Sequence, residues 1–241
     1  KTFCCVSAEI AKSAARWRTV DGAKLRVVPN GISIGRQEAR SQYDDIRAQL
    51  GIPLETPVVG TVGRLTEVKR QDLLIRAFAL ARENVRDLRL IIVGDGPERN
   101  RLETLTREMG LTTCVHFVGY QPHPERYLSA FDLFALTSRS EGFPVALLEA
   151  WNAGLAVVCS AVGEIPNIVT AGLNGFLFAS GDVVAAARAF ENLILDRSMR
   201  ERLGRAGQAT VLRFYTIEGV AKRYESLYRE LLRFSQCAGS K

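Results

Sequence analysis

Residues 56–93, TPVVGTVGRLTEVKRQDLLIRAFALARENVRDLRLIIV, decide the fold class. Val58–Val62 is a short run dominated by β-branched side chains and reads as a strand. In Gln71–Glu83 the apolar residues Leu74, Ala77, Phe78 and Ala81 fall on one helical face. Leu90–Val93 is apolar without alternation, the pattern of a strand buried on both faces. Strand, helix and strand in this order make the crossover unit of a parallel sheet.

The alternation continues downstream. Gly94-Asp95-Gly96-Pro97 ends the second strand, and Leu102, Leu105 and Met109 carry a helix. Val115–Val118 reads as a strand, Glu125–Ala130 as a short helix, and Leu133–Leu136 as a strand. A helix over Pro144–Ala153, a strand over Ala156–Cys159 and a short strand over Gly175–Leu177 follow. Helices over Val183–Leu195, Met199–Phe214 and Ile217–Leu232 close the chain. The pattern predicts an α/β protein: a doubly wound, Rossmann-like parallel sheet covered on both faces. Upstream, Phe3–Val6 reads as a strand, Glu9–Trp17 as a helix and Leu25–Pro29 as a further extended run. The turn signal Asn30-Gly31 and the polar segment Arg36–Gln49 then separate this region from the main alternation. Residues 1–29 are therefore expected to be the tail of a preceding domain and the start of a linker. Residues 30–215 are expected to form the main domain, and 216–241 a returning helix and tail. A first residue Lys1 in place of Met fits a piece of a longer protein.

Composition narrows the function. The 241 residues are 47% hydrophobic and 24% charged, which is ordinary globular usage and excludes disorder. The five cysteines (Cys4, Cys5, Cys114, Cys159, Cys237) have no C-x-x-C spacing and read as reduced thiols of a cytoplasmic protein. His116 and His123, the two histidines, have no ligand pattern around them, so no metal site is expected. The net charge of +6 is spread among acids, with no dense basic stripe, which argues against nucleic acid. It fits an anionic small molecule and leaves open peripheral contact with the inner face of a membrane. The longest apolar stretch, Val145 to Gly163, contains Glu149, Asn152 and Gly154 and does not span a bilayer. No secretory signal opens the chain.

Open α/β sheets bind ligands beyond the carboxyl ends of their strands. After the first main strand, Gly63-Arg64-Leu65-Thr66-Glu67-Val68-Lys69 puts a guanidinium and an ammonium in one loop, where both could converge on a phosphate. A solvated basic loop is the plain alternative. Gly94-Asp95-Gly96-Pro97 lacks the third glycine of a dinucleotide fingerprint and reads as a tight turn. Gly119-Tyr120 is another turn, whose backbone could line a base pocket. In Ser138–Ala150, Pro144 suits the first turn of a helix, so the amides of Val145, Ala146 and Leu147 should point outward at its positive end. Glu141 precedes this anion seat and Glu149 lies within the helix, placed to accept hydroxyl hydrogen bonds on either side of a phosphate. Alone, Glu141 could be a helix-start acid and Glu149 part of a solvated face.

Together these motifs resemble the donor-binding, C-terminal half of the retaining GT-B glycosyltransferases of family four. The resemblance rests on Gly63 to Lys69, on Glu141-Gly142-Phe143-Pro144 and on the glutamates Glu141 and Glu149. Val28-Pro29-Asn30-Gly31 at the linker and Gly172-Leu173-Asn174-Gly175-Phe176 late in the sheet belong to it as well. It implies that Arg64 and Lys69 hold a donor diphosphate, that Glu141 contacts the donor sugar and that Glu149 contacts the ribose. Backbone amides from Gly142 to Val145 would bind sugar and phosphate. It implies a nucleotide-sugar donor, no cofactor, no metal, and a glycan, lipid-linked or small-molecule acceptor. The chain departs from the family at Val162-Gly163-Glu164-Ile165-Pro166-Asn167, where two glycines and a later Pro-Glu are usual, and at Ala156, where Pro is common. Competing readings are a GT-B sugar-nucleotide epimerase, a retaining glycoside hydrolase with carboxylates about 5–5.5 Å apart, and a non-catalytic nucleotide-binding module.

Overall fold

In the computed structural model, residues 2–16, 20–34 and 44–238 are described. Strand β1 (Phe3–Cys5), helix α1 (Ala8–Arg16) and strand β2 (Leu25–Val27) come first, with β1 and β2 paired in parallel as a separate small sheet. Trp17, expected at the end of α1, lies outside the described residues. Helix α2 (Asp44–Gln49) follows, within a segment that the sequence presents only as polar. Its Arg47 is buried, donating to the carbonyls of Ala130, Leu54 and Thr56 and pairing with Asp132 at 2.9 Å. A buried arginine with this many acceptors leaves no apolar periodicity to read.

The main alternation then runs β3 (Val58–Val62), α3 (Gln71–Asn84), β4 (Arg89–Val93), α4 (Arg99–Glu108) and β5 (Val115–Gly119). It continues through β6 (Leu133–Leu136), α5 (Val145–Asn152), β7 (Ala156–Ser160), the short α6 (Ile165–Ile168) and β8 (Phe176–Phe178). Helices α7 (Val183–Leu195), α8 (Arg197–Phe214) and α9 (Ile217–Ala238) complete the chain. All pairings in the six-stranded sheet are parallel, in the order β5-β4-β3-β6-β7-β8. Counted from β3, this is the doubly wound order 3-2-1-4-5-6, which reverses between β3 and β6. The crevice beyond the carboxyl ends of these two strands is the expected ligand position.

The strands alternate their side chains between two buried layers. Val59, Leu90, Ile92, Leu133, Ala135, Ala156 and Val158 pack with α3, α4 and α7 on one face. Val58, Ile91, Val93, Phe134, Leu136, Val157 and Cys159 pack with α5 on the other. Burial on both faces explains why the strands read as continuous apolar runs. Trp151 of α5 is fully buried and donates from Nε1 to the carbonyl of Asn174 at 2.9 Å. Buried Asn174 also accepts from the Thr170 amide and donates to the Ile168 carbonyl, so the late Gly172–Phe176 motif anchors α5.

Chain entry and exit run side by side: the Ile32 amide donates to Tyr215, and the Ile217 amide donates back to Ile32, each at 2.9 Å. Val220 and Leu227 of α9 bury Val28 with help from Tyr224 and Leu231. Ile217 and Tyr228 of the same helix are exposed. Among the described residues, no helix is long and apolar enough to cross a membrane.

Candidate functional site

The loops after β3 and β6 meet over the crevice. Thr137 Oγ1 donates to the carbonyls of Lys69 and Arg70, and the Arg139 amide donates to Val68 at 2.7 Å. The first loop tightens into a 3₁₀ turn at Glu67–Lys69, then passes through Arg70 at φ 52°, a left-handed conformation costly for a side chain with a Cβ. That turn aims Lys69 across the crevice. Its Nζ lies 2.7 Å from Glu141 Oε1, the same oxygen that accepts from Ser138 Oγ at 2.6 Å. Glu141 is buried at 8% exposure, while the Lys69 side chain keeps about a third of its surface.

The carboxylate of Glu141 is thus held by a cation and a hydroxyl, and the helix-start reading of this residue does not hold. Its charge also reaches Cys159, whose thiol is pushed up chiefly by burial and further by Glu141. Ser138 opens the Ser138–Ala150 segment, but a lone serine carries no periodic signal. Its backbone is fixed in turn, since Ser160 Oγ donates to the Ser138 carbonyl at 2.6 Å. Beneath the loop, Gly163 at φ 54° comes so close that a Cβ there would sit 1.8 Å from the Glu141 carbonyl.

Helix α5 begins at Val145, one residue later than the sequence pattern predicts, with Pro144 as its N-cap. Pro144 has no side-chain acceptor, and the Leu147 amide turns inward to the Pro144 carbonyl at 3.2 Å. Of the three helix amides expected to be free, Leu147 is therefore lost to the helix itself. The amides of Val145 and Ala146, with those of Gly142 and Phe143 before them, donate to no acceptor among the described residues. Phe143 is buried against Tyr215, ring centroids 5.5 Å apart.

The other expected site residues lie in the loops after β3 and β5 and within α5. Gly63 holds the loop to β4 through its amide on Val93, and Arg64 is exposed and pairs with no described residue. Arg64 and Lys69 thus share a loop, with Lys69 paired to Glu141 and Arg64 open to solvent. The Arg64 carbonyl is held by Gln71 Nε2 at 3.1 Å, a contact invisible in the sequence. Gly94 and Gly96 sit where a Cβ would collide with the carbonyls of Gly63 and Leu65, so their role is close loop packing. Gly119 at φ 75° accepts from the Gly94 amide at the end of β5, and Tyr120 beside it is 76% exposed.

Glu149 is half-buried on α5, which removes the solvated-face reading. Burial first, and the charge of Glu125 second, hold its carboxyl above the ordinary range. Glu125, the charge that Glu149 feels, lies on the short 3₁₀ turn at Pro124–Ala130. Among the described residues, no group of three or more His, Cys, Asp or Glu is arranged to hold a metal ion.

Comparison with known proteins agrees with this fold. The model of the family described as glycosyl transferases group 1 matches residues 42–210. The chain is 33% identical to the lipopolysaccharide core biosynthesis glycosyltransferase LpsE of Rhizobium meliloti, over 85% of this chain and 57% of that protein. It is 33% identical to the D-inositol 3-phosphate glycosyltransferase of Corynebacterium jeikeium, over 86% of this chain and 52% of that one. The crystal structure of Anabaena HepE in complex with UDP-glucose superposes with a TM-score of 0.85 at 25% identity, covering 95% of this chain and 64% of HepE. The chain spans about half the length of the curated relatives it matches. With the family model covering well over half of its residues and the sheet in GT-B order, the chain belongs to the glycosyl transferases group 1.

Proposed function

We propose that this chain is the donor-binding half of a retaining, metal-independent glycosyltransferase that moves a hexose-type sugar from a nucleoside diphosphate to an alcohol. The observation that carries the reading is the Lys69–Glu141 contact at the sheet's switch point, beside the uncapped start of α5. A diphosphate seated there would take hydrogen bonds from the free amides of Val145 and Ala146 and charge from Lys69 and Arg64. Such preorganised positive charge stabilises a leaving diphosphate. Lys69 has three donors, so it can keep Glu141 while reaching a phosphate oxygen.

In this reading Glu141 accepts hydroxyls of the donor sugar, Glu149 accepts those of the ribose, and the Gly119-Tyr120 turn lies near the base. The sugar leaves with retention by front-face attack, without an assigned protein nucleophile. Residues 1–29 would belong to the acceptor-side domain and linker, 30–215 to the donor domain, and 216–241 to the returning helix and tail. The acceptor class is a glycan, a lipid-linked glycan or a small molecule. The names of the relatives, for lipopolysaccharide core synthesis and for D-inositol 3-phosphate, support this range. The enzyme would work in the cytoplasm, with peripheral contact at the inner membrane face.

HepE was solved with UDP-glucose, so uridine nucleotides are the first probes. A nucleoside diphosphate at a hundred times its dissociation constant should stabilise the chain by about 2.7 kcal/mol. The thermal shift should persist in EDTA. No shift with UDP, GDP or ADP would end the donor reading, and a shift that EDTA abolishes would end metal independence.

A further inference from the structure

Glu164 is 7% exposed and forms no ion pair with any described residue. Its Oε2 accepts instead from the amide of Glu9, 155 residues earlier, at 3.1 Å. Glu9 lies in the first turn of α1, where backbone N–H groups lack partners within the helix and the dipole is positive. The neighbouring first-turn amide, that of Ile10, is satisfied locally by Ser7 Oγ. The Glu9 amide is thus the one that reaches across the molecule.

The backbone of Glu164 faces the other way. Its amide points to the Glu141 carbonyl at 3.4 Å, directly after the close approach of Gly163 to that same carbonyl. The adjoining contact runs from Ile10 of α1, whose Cδ1 would lie 3.0 Å from a Cβ on Gly142. One residue therefore touches α1 with its carboxylate and the peptide of Glu141 with its amide. We infer that Glu164 is a positioning residue that ties α1 to the Glu141–Gly142 loop and so fixes where the Glu141 carboxylate stands for the donor sugar.

The inference rests on the donor-site reading above and adds a residue to it. The tie requires an acceptor for one N–H, and a glutamine side-chain oxygen supplies that as well as a carboxylate does. Glu164→Gln therefore keeps the tie and Glu164→Ala breaks it. The tie can also be cut from its other end. Glu9→Pro deletes the donor at a first-turn position, where helices tolerate proline.

The experiment titrates the 241-residue chain with UDP-glucose, UDP-N-acetylglucosamine and GDP-mannose, each beside its free diphosphate, and follows amide hydrogen exchange over α1. In Glu164→Ala, exchange at the start of α1 should accelerate. The affinity that the sugar adds over the free diphosphate should fall about fivefold, at the low end of site-to-site couplings. Binding of the free diphosphate should stay at the wild-type level, and Glu164→Gln should restore both readouts. Glu9→Pro should reproduce the loss of sugar-dependent affinity, and the double variant should lose no more than either single one. Equal weakening of diphosphate and sugar nucleotide, unchanged exchange, or failure of Glu164→Gln to rescue would each overturn the inference. A panel member that binds wild type and Glu164→Ala alike overturns it alone, whereas a wild-type chain that binds none of the panel overturns the donor reading and this inference with it.

Discussion

Helices α5 and α7 leave the same parallel sheet from residues with nearly the same backbone, yet they begin differently. Pro144 has φ −79° and ψ 99°, and Asp182 has φ −80° and ψ 89°. Asp182 accepts the Ala185 amide at 2.9 Å, and Asp196 does the same for Met199 at the start of α8. Pro144 offers no side-chain acceptor. At α7 the Val183, Ala185 and Ala186 amides are satisfied from within, while at α5 the Val145 and Ala146 amides find no acceptor among the described residues. What separates a structural helix start from a candidate anion seat is the side chain at the cap, with the backbone already prepared in both.

The strongest test converts one start into the other. In Pro144→Asp, the cap backbone is in place for the carboxylate to accept the Ala146 or Leu147 amide. The helix should gain about 1 kcal/mol, raising the melting temperature by roughly 2–4 °C in a domain of this size. The same carboxylate would stand where the diphosphate is proposed to sit. Like charges about 4 Å apart repel by about 4 kcal/mol at an effective dielectric constant near 20. Nucleotide affinity should therefore fall roughly a hundredfold or more, about 2.7 kcal/mol. A more stable variant with unchanged affinity would move the diphosphate away from α5.

The converse change has a smaller effect and no functional consequence. Asp182→Ala removes the cap of α7 and should cost about 1 kcal/mol, a drop of roughly 2–4 °C. The thermal shift produced by saturating nucleotide should match that of the wild type. Loss of that shift would mean that α7 helps to hold the donor, and the contrast with α5 would collapse.

Some of this contrast is legible in the sequence and some is not. The ranges of β3, β6 and α7 match their apolar patterns residue for residue, because local periodicity and burial coincide there. The strand ends then indicate which loops face the crevice. Pairing across the crevice is another matter: Lys69 and Glu141 lie 72 residues apart, and only the strand order brings them together. The sequence offered Arg64 as the partner of Lys69, whereas the fold turns Lys69 onto Glu141 and leaves Arg64 to solvent. Ser138, Gln71 and Glu164 act as single side chains, and a single polar residue has no period to betray it. Helix α2 was hidden for a related reason, since its buried Arg47 has the appearance of a surface residue.

The smallest effect lies further along α5, at Glu149. Burial, then the nearby charge of Glu125, raises its pKa in the folded chain above the ordinary value of 4.5. A carboxyl whose folded pKa is raised favours the protonated native state. Its contribution is fully present below the unfolded value and is lost as pH rises through the folded one. Melting temperatures of the wild type should therefore fall relative to Glu149→Gln as pH climbs above 4.5, since glutamine carries no proton to lose. If Glu149 accepts the ribose hydroxyls, those hydrogen bonds favour its charged form and offset the burial. Saturating UDP should then shrink the pH-dependent gap between the two proteins. A gap of the same size with and without UDP would place the ribose elsewhere and leave Glu149 as a buried acid of α5 without a part in binding.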